Sequence, residues 1–302
     1  MSAATTATTG RPPVAPGTES TYKIRRRRTK RTAGDWTVLV LTVLLALLVI
    51  APFYLIIINS FKTPADYSTG GPLQLPGEWT LDGIAKFWER VDFPLKLWNS
   101  ILISGMVSIL AVLVSVLSAY AIGIGRVRGR TWIVVLFLLA NMLPQEALLY
   151  PLYFMFKGVG LYDNVWSVII IFTVIQSAFG TYLLSSVYGT FPKEVLEAAS
   201  LDGASRWTIL WRVVVPISRP TLSVLLVFFF IWTWNEFLIP LTFLISNDNQ
   251  TVPVAIATLQ GDRLMDVTTT SASALLGVIP TLIFFLIFQR TLARGITAGA
   301  VK

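Results

Sequence analysis

Two carboxylates stand at positions where a carboxylate is expensive. Glu146 and Glu236 each fall inside a long apolar stretch of the 302-residue sequence. Asn141, Gln145 and Tyr150 accompany the first, Trp232 and Asn235 the second, and Gln176 lies in a third such stretch. An ionisable residue at that depth is a candidate functional group by default. Carboxylates and amides exchange hydrogen bonds with hydroxyls, and an indole face stacks on the apolar face of a sugar ring, so the set suits a neutral polyol. No Lys or Arg accompanies it within the apolar stretches, which counts against an anionic ligand. Gln145, Glu146, Tyr150, Trp232, Asn235 and Glu236 form the candidate pathway set. Asn141 and Gln176 are assigned instead to cross-helix hydrogen bonds that hold a bundle together. On a continuous helix Trp232, Asn235, Glu236 and Ile239 share one face, while Trp234 points elsewhere.

The sequence has neither histidine nor cysteine. The commonest general base, the commonest metal ligand and every disulfide are therefore excluded, and neither a catalytic nor a metal set is expected. Charged residues make up 13% of the chain, about half the usual share in soluble domains. An intramembrane enzyme would lack its usual nucleophile and metal parts. No stretch reads G-x-x-x-x-G-K-[ST], so the chain has no phosphate cradle for ATP of its own.

A helix crossing the hydrocarbon needs about 20 mostly apolar residues. Six stretches meet this: 36–61, 98–124, 131–156, 164–188, 220–245 and 272–290. The expected architecture is an all-α, multi-pass membrane protein. Residues 1–35 read as a disordered basic tail, whose "KIRRRRTKR" is a lipid-facing anchor rather than a nucleic-acid patch. With the N-terminus inside, 18 of the 24 Lys and Arg fall on inner segments, which places both termini in the cytoplasm by the positive-inside rule. Residues 62–97 and 246–271 are then external. The first contains "DGIAKFWERV", which reads as an amphipathic helix on the membrane surface. No internal repeat supports a self-contained secondary transporter using Glu146 and Glu236.

The inner segment 190–219 is too long for a connector. Pro192 suits a helix start, and Glu194 and Glu197 complement its dipole. Val195, Ala198 and Ala199 give a low-profile apolar strip, and Gly203 allows a turn with positive φ. Ser205 caps a second helix headed by Arg206 and Trp207, with Leu210, Trp211 and Val214 following and Pro216 ending it. Two short helices meeting at a glycine elbow make a docking surface for a partner.

Glu197, Ala198, Ala199, Gly203 and the closing Val213-x-Val215-Pro216 resemble the EAA signature of permease subunits of binding-protein-dependent ABC importers, with valines where Ile and Leu are usual. "WNEFLIPL" (234–241) and "GITAGAVK" (295–302) resemble the carbohydrate, maltose-type branch. The resemblance covers residues 36–302 and implies a six-helix type I permease fold in the bacterial cytoplasmic membrane. It implies a sugar as substrate, a di- or oligosaccharide, with a polyamine or another solute as the alternative. It also implies a second homologous permease, two ATPase subunits that bind ATP and Mg, and an extracytoplasmic solute-binding protein. Glu197, Ala198, Ala199, Gly203, Arg206 and Trp207 would couple to the ATPases, and residues 295–302 would also reach them.

Overall fold

The computed structural model describes residues 33–125, 127–260 and 266–300, without the side chains of 259–260 and of 291–300. Every regular element among them is helical. In chain order these are α1 (Ala33–Ser60), α2 (Pro64–Gly70), α3 (Asp82–Arg90), α4 (Phe93–Ala119), α5 (Arg130–Asn141), α6 (Gln145–Gly158) and α7 (Val165–Gly189). They continue as α8 (Lys193–Leu201), α9 (Arg206–Ile209), α10 (Val215–Trp234), α11 (Leu238–Phe243), α12 (Val252–Gln260) and α13 (Val267–Ala300). Two π-helical turns, Tyr120–Ile124 and Leu210–Val214, extend α4 and join α9 to α10.

Among the described residues, those up to Val49 form one compact unit and those from Ile50 onward another. The first contains the start of α1, a helix apolar on every side, as expected of a segment surrounded by lipid or by another chain. The expected tail boundary moves: residues 33–35 are already helical, with Asp35 in the first turn where it complements the dipole. Residues 1–32 lie outside the described set.

In the second unit, α4, α7 and α10 pack together, α5 lies on α7, and α13 packs on α3 and α10. Close approach depends on small residues: a Cβ added at Gly180 of α7 would fall on the Ser115 side chain and 3.0 Å from the Phe229 ring. Gly, Ser and Thr at such seams let backbones meet where lipid offers no hydrophobic drive. One apolar cluster joins Ile103, Val107, Phe172 and Ile239, and another joins Ala111, Leu184, Leu210 and Phe229.

Five helices are long and apolar enough to cross a membrane, or six if α5 and α6 together make one span. That third span, expected as a continuous 131–156, is broken and bent by 94° between Asn141 and Gln145. Pro144 explains it: the ring removes an N–H and disfavours helical geometry at Leu143. The fifth span also departs from 220–245. Its helix runs from Arg206 through Pro216 and Pro220 to Trp234, so Pro216 does not end the second elbow helix. The π turn places the Val215 N–H on the Leu210 carbonyl, a widened turn that admits the proline that follows. Leu238–Phe243 then form a separate short helix.

Away from the elbow, the connecting segments are more ordered than their polarity suggests. α3 does not simply lie on a membrane surface; Phe87 is fully buried beside Phe93, Val252 and Ala255. The 246–271 segment contains α12, and α13 begins at Val267, not at 272. Lys62 and Lys96 are buried as well. Lys62 donates to the Gly71 carbonyl at 2.8 Å, and Lys96 donates to that of Asn247. Asn99 adds bonds to the Asp248 and Gln250 carbonyls at 2.7 and 3.1 Å. These buried side chains satisfy backbone carbonyls of the connecting loops.

Candidate functional site

The two helix breaks meet. Pro240 has no N–H to give the Glu236 carbonyl and its ring would crowd that carbonyl, so α10 stops at Trp234 and Asn235–Phe237 are non-helical. Asn235 closes α10, its side-chain amide donating to the Ile231 carbonyl at 2.7 Å. Gln145 opens α6 just past the other break and lines the same cleft as Glu236. Asn141, Gln145, Phe172, Ile175, Gln176, Trp232 and Glu236 line a narrow cleft between these elements, with room for about one water in its 10 Å³. The cleft is closed to anything larger.

Of the six candidate pathway residues, Gln145, Trp232 and Glu236 come together. Glu146 is exposed and lies outside the lining. Tyr150 is 73% exposed and its ring meets Phe154 edge-on at 4.7 Å. Asn235 is exposed and engaged by its own helix. The single face expected for Trp232, Asn235, Glu236 and Ile239 requires an unbroken helix; with the break, Ile239 is buried in the core while Asn235 is exposed.

Gln176 plays both of its possible parts. Its Nε2 donates to Thr233 Oγ1 at 2.8 Å across the α7–α10 seam, while its buried Oε1 has no partner. An unpaired buried acceptor beside a cleft is the arrangement that a hydroxyl donor would satisfy. Asn141 lines the cleft too, with its amide donating to the Phe137 carbonyl at 2.8 Å. Phe172, Ile175 and Gln176 supply one wall at i, i+3 and i+4 spacing; of the three, only Gln176 is singled out by the sequence.

The elbow is built from local bonds. α8 ends as Asp202 N–H donates to the Ala198 carbonyl at 3.0 Å and Gly203 N–H to that of Ser200 at 3.1 Å. Gly203 takes φ 78°, the left-handed turn, and Ala204 N–H returns to the Ala199 carbonyl at 3.0 Å. Ser205 then caps α9, its hydroxyl accepting from Thr208 N–H at 3.2 Å. Tyr120, in the π turn of α4, donates its hydroxyl to the Arg206 carbonyl at 3.0 Å. Leu196 and Ala199 pack inward on the core. No residue of α8 is buried, and Glu197, Ala198, Val195 and Leu201 face outward. The strip expected from Val195, Ala198 and Ala199 thus splits, because Ala199 is used within the chain. Arg206 and Trp207 are exposed, with Trp207 edge-on to Trp211 at 5.6 Å. The side chains of the terminal stretch 295–302 lie outside the described residues.

A helical bundle with polar groups at membrane depth, a broken pair of spans and an outward-facing elbow defines a multi-pass membrane transport subunit. The profile of one family, described as the binding-protein-dependent transport system inner membrane component, matches residues 111–298, which include the cleft and the elbow. The chain belongs to that family of bacterial inner-membrane ABC permeases. It is 32% identical over 259 residues to the lactose transport system permease protein LacG of Rhizobium radiobacter, covering 86% of this chain and 93% of the relative. It is 31% identical over 263 residues to the trehalose/maltose transport system permease protein MalG of Thermococcus litoralis, covering 86% and 94%. A solved bacterial ABC transporter, involved in the import of the acidic polysaccharide alginate, has the same fold. The TM-score is 0.74 at 20% identity, over 86% of this chain and 98% of that one.

Proposed function

We propose that this chain forms half of the translocation pathway of a sugar importer, with a di- or oligosaccharide as its cargo. ATP hydrolysis takes place on separate ATPase subunits that hold ATP and Mg, and a second, similar permease completes the pathway. An extracytoplasmic binding protein delivers the sugar to the end carrying residues 62–97 and 246–271. Both termini and the elbow face the cytoplasm, in keeping with the distribution of basic residues. Relatives named for lactose and trehalose/maltose transport support the choice of a sugar.

One observation carries the mechanical part. The helix that begins at the elbow is continuous to the cleft, from Arg206 to Trp234. At 1.5 Å per residue this rod spans about 43 Å. A displacement of α8 by an ATPase, once passed through the elbow to Arg206, therefore reaches the break at Asn235–Phe237 along one helix. Gln145 and Glu236, one from each broken span, line the cleft there, and opening the cleft separates them. Glu236, the Gln176 carbonyl oxygen and Trp232 are then available to sugar hydroxyls and ring faces.

The test is ATP hydrolysis by the reconstituted complex against a panel of sugars, each with the binding protein. The proposal expects one or a few di- or oligosaccharides to stimulate hydrolysis only when the binding protein is present. Stimulation by a polyamine, or none that depends on the binding protein, would overturn it.

A further inference from the structure

At the elbow end, a groove between α5 and α7 takes no part in the cleft. Two contiguous cavities of about 610 and 430 Å³ share Gly123, Arg130, Thr131 and Gly189. One opens past Lys193 of α8 and Trp132, which is 79% exposed. The other continues along Val134, Val135 and Tyr182 into the spanning length of the helices. Gly123 lets the groove's floor close tightly on α7: a Cβ there would lie 2.7 Å from that of Tyr188 and 3.1 Å from the Ser185 carbonyl oxygen.

The rim and the interior differ in chemistry. Arg130 and Lys193 are exposed, and neither side chain has an ion-pair partner among the described residues. Glu194 and Glu197, the carboxylates of α8, line neither cavity. Beyond the rim Ile122, Val134, Val135 and Tyr182 give the walls an apolar stripe, beside which Ser185, Ser186 and Thr190 lie. Two unpaired cations at the mouth of an apolar channel match a molecule with an anionic head and a hydrocarbon tail. A free phosphate would use the mouth and leave the channel empty. A zwitterionic lipid would bring its own ammonium against the two cations. Basic pockets between spans on the cytoplasmic side bind anionic head groups for the same reasons, and the exposed indole of Trp132 at this mouth is of the kind that concentrates at the headgroup level.

We infer that this groove holds one anionic phospholipid of the cytoplasmic leaflet. The head lies between Arg130 and Lys193, and an acyl chain runs along Val134, Val135 and Tyr182. The leaflet rests on the orientation proposed above. Because Lys193 and Leu196 belong to α8, the lipid braces the elbow against α5 and α7.

The experiment uses the full chain, purified with the subunits it carries, in mixed phosphatidylglycerol and phosphatidylcholine, with native mass spectrometry counting retained lipids. One phosphatidylglycerol should stay with this subunit, at least about tenfold in preference to phosphatidylcholine. In the Arg130→Gln, Lys193→Gln double variant retention should fall about twenty-fivefold, each basic residue near a head group being worth about fivefold. Val134→Trp fills the channel with both cations intact and should also expel the lipid. Equal retention of the two lipids, or retention unchanged in both variants, overturns the inference. So does protection of Thr131→Cys from a thiol reagent by added ATPase but not by phosphatidylglycerol, which would make the groove a protein contact. Labelling of that cysteine from outside intact cells would place the groove in the other leaflet and overturn the assignment. ATPase association is scored on the same samples: its loss in the wild type counts against the importer reading alone, whatever the lipid count.

Discussion

The Tyr120 hydroxyl donates to the Arg206 carbonyl at 3.0 Å, tying the end of one span to the start of the helix that leaves the elbow. Arg206 is the first residue of α9, so the bond fixes the direction in which the elbow hands over to the fifth span. Tyr120→Phe removes that bond and little else. Such a bond is worth about 1 kcal/mol, too little to unfold the bundle and enough to loosen the joint. Sugar-stimulated ATP hydrolysis should fall severalfold, with ATPase association retained. Stimulation equal to the wild type would show that the tether has no part in coupling.

Glu236 and Gln145 line one cleft from the two broken spans. Glu236→Ala and Gln145→Ala should each reduce uptake about tenfold, roughly what one lost hydrogen bond to the sugar would cost, while the complex still assembles. The double variant should lose little more than either single one, because the two side chains act as one contact. Failure of Glu236→Ala to assemble would assign the carboxylate to bundle stability instead. Additive losses would separate the two residues.

Much of this was legible in the sequence, for reasons that are local. The apolar runs define the spans, and "SLDGAS" (200–205) contains the turn glycine and the capping serine that the elbow uses. The breaks were not legible to the same degree. Hydropathy is the same for 131–156 whether the helix is straight or bent by 94°, and prolines inside a helix do not all break it. Pro52 and Pro220 are accommodated, Pro216 follows a π turn, and Pro144 and Pro240 stand beside true breaks. What decides among them is the packing around each ring. The burial of Lys62 and Lys96 was hidden for a related cause, since both reach carbonyls of loops whose fold is set by distant contacts.

Asp163 offers a pH test away from the membrane. It occupies a left-handed conformation (φ 57°) between α6 and α7. Its carboxylate accepts from the Ser246 N–H at 2.9 Å, from the Ser246 hydroxyl and from Asn249. Partial burial pushes the carboxyl up, but these hydrogen bonds prevail and hold it below the usual carboxylate range. A folded pKa below the unfolded one gives stability that is present above about pH 3.9 and lost as pH falls through the folded value. Asp163→Asn should therefore melt at a lower temperature than the wild type by a constant gap from pH 8 to 5, and the gap should close below pH 4. A gap that persisted unchanged at pH 3 would contradict this account.

Topology can be read with single cysteines, because the chain has none of its own. Ser68→Cys, exposed near the first long loop, should react with an impermeant reagent in intact cells. Ser205→Cys should react only after permeabilisation. The reverse pattern would invert the orientation.

The central claim is that α8 and its glycine elbow receive the ATPase and drive the fifth span. Gly203 takes φ 78°, and a Cβ placed there meets nothing within 4 Å, so a substitution acts through the backbone and not through crowding. Gly203→Pro cannot adopt that angle and removes the N–H bonded to Ser200. Ala198→Arg leaves the backbone alone and adds a long cation to the outward face of α8. The decisive measurement is ATP hydrolysis by the reconstituted complex, with and without binding protein and sugar, alongside capture of the ATPase. Both variants should lose sugar stimulation or the ATPase itself, with the spans still inserted; full ATPase binding together with wild-type stimulation in both would reduce the segment to a connector.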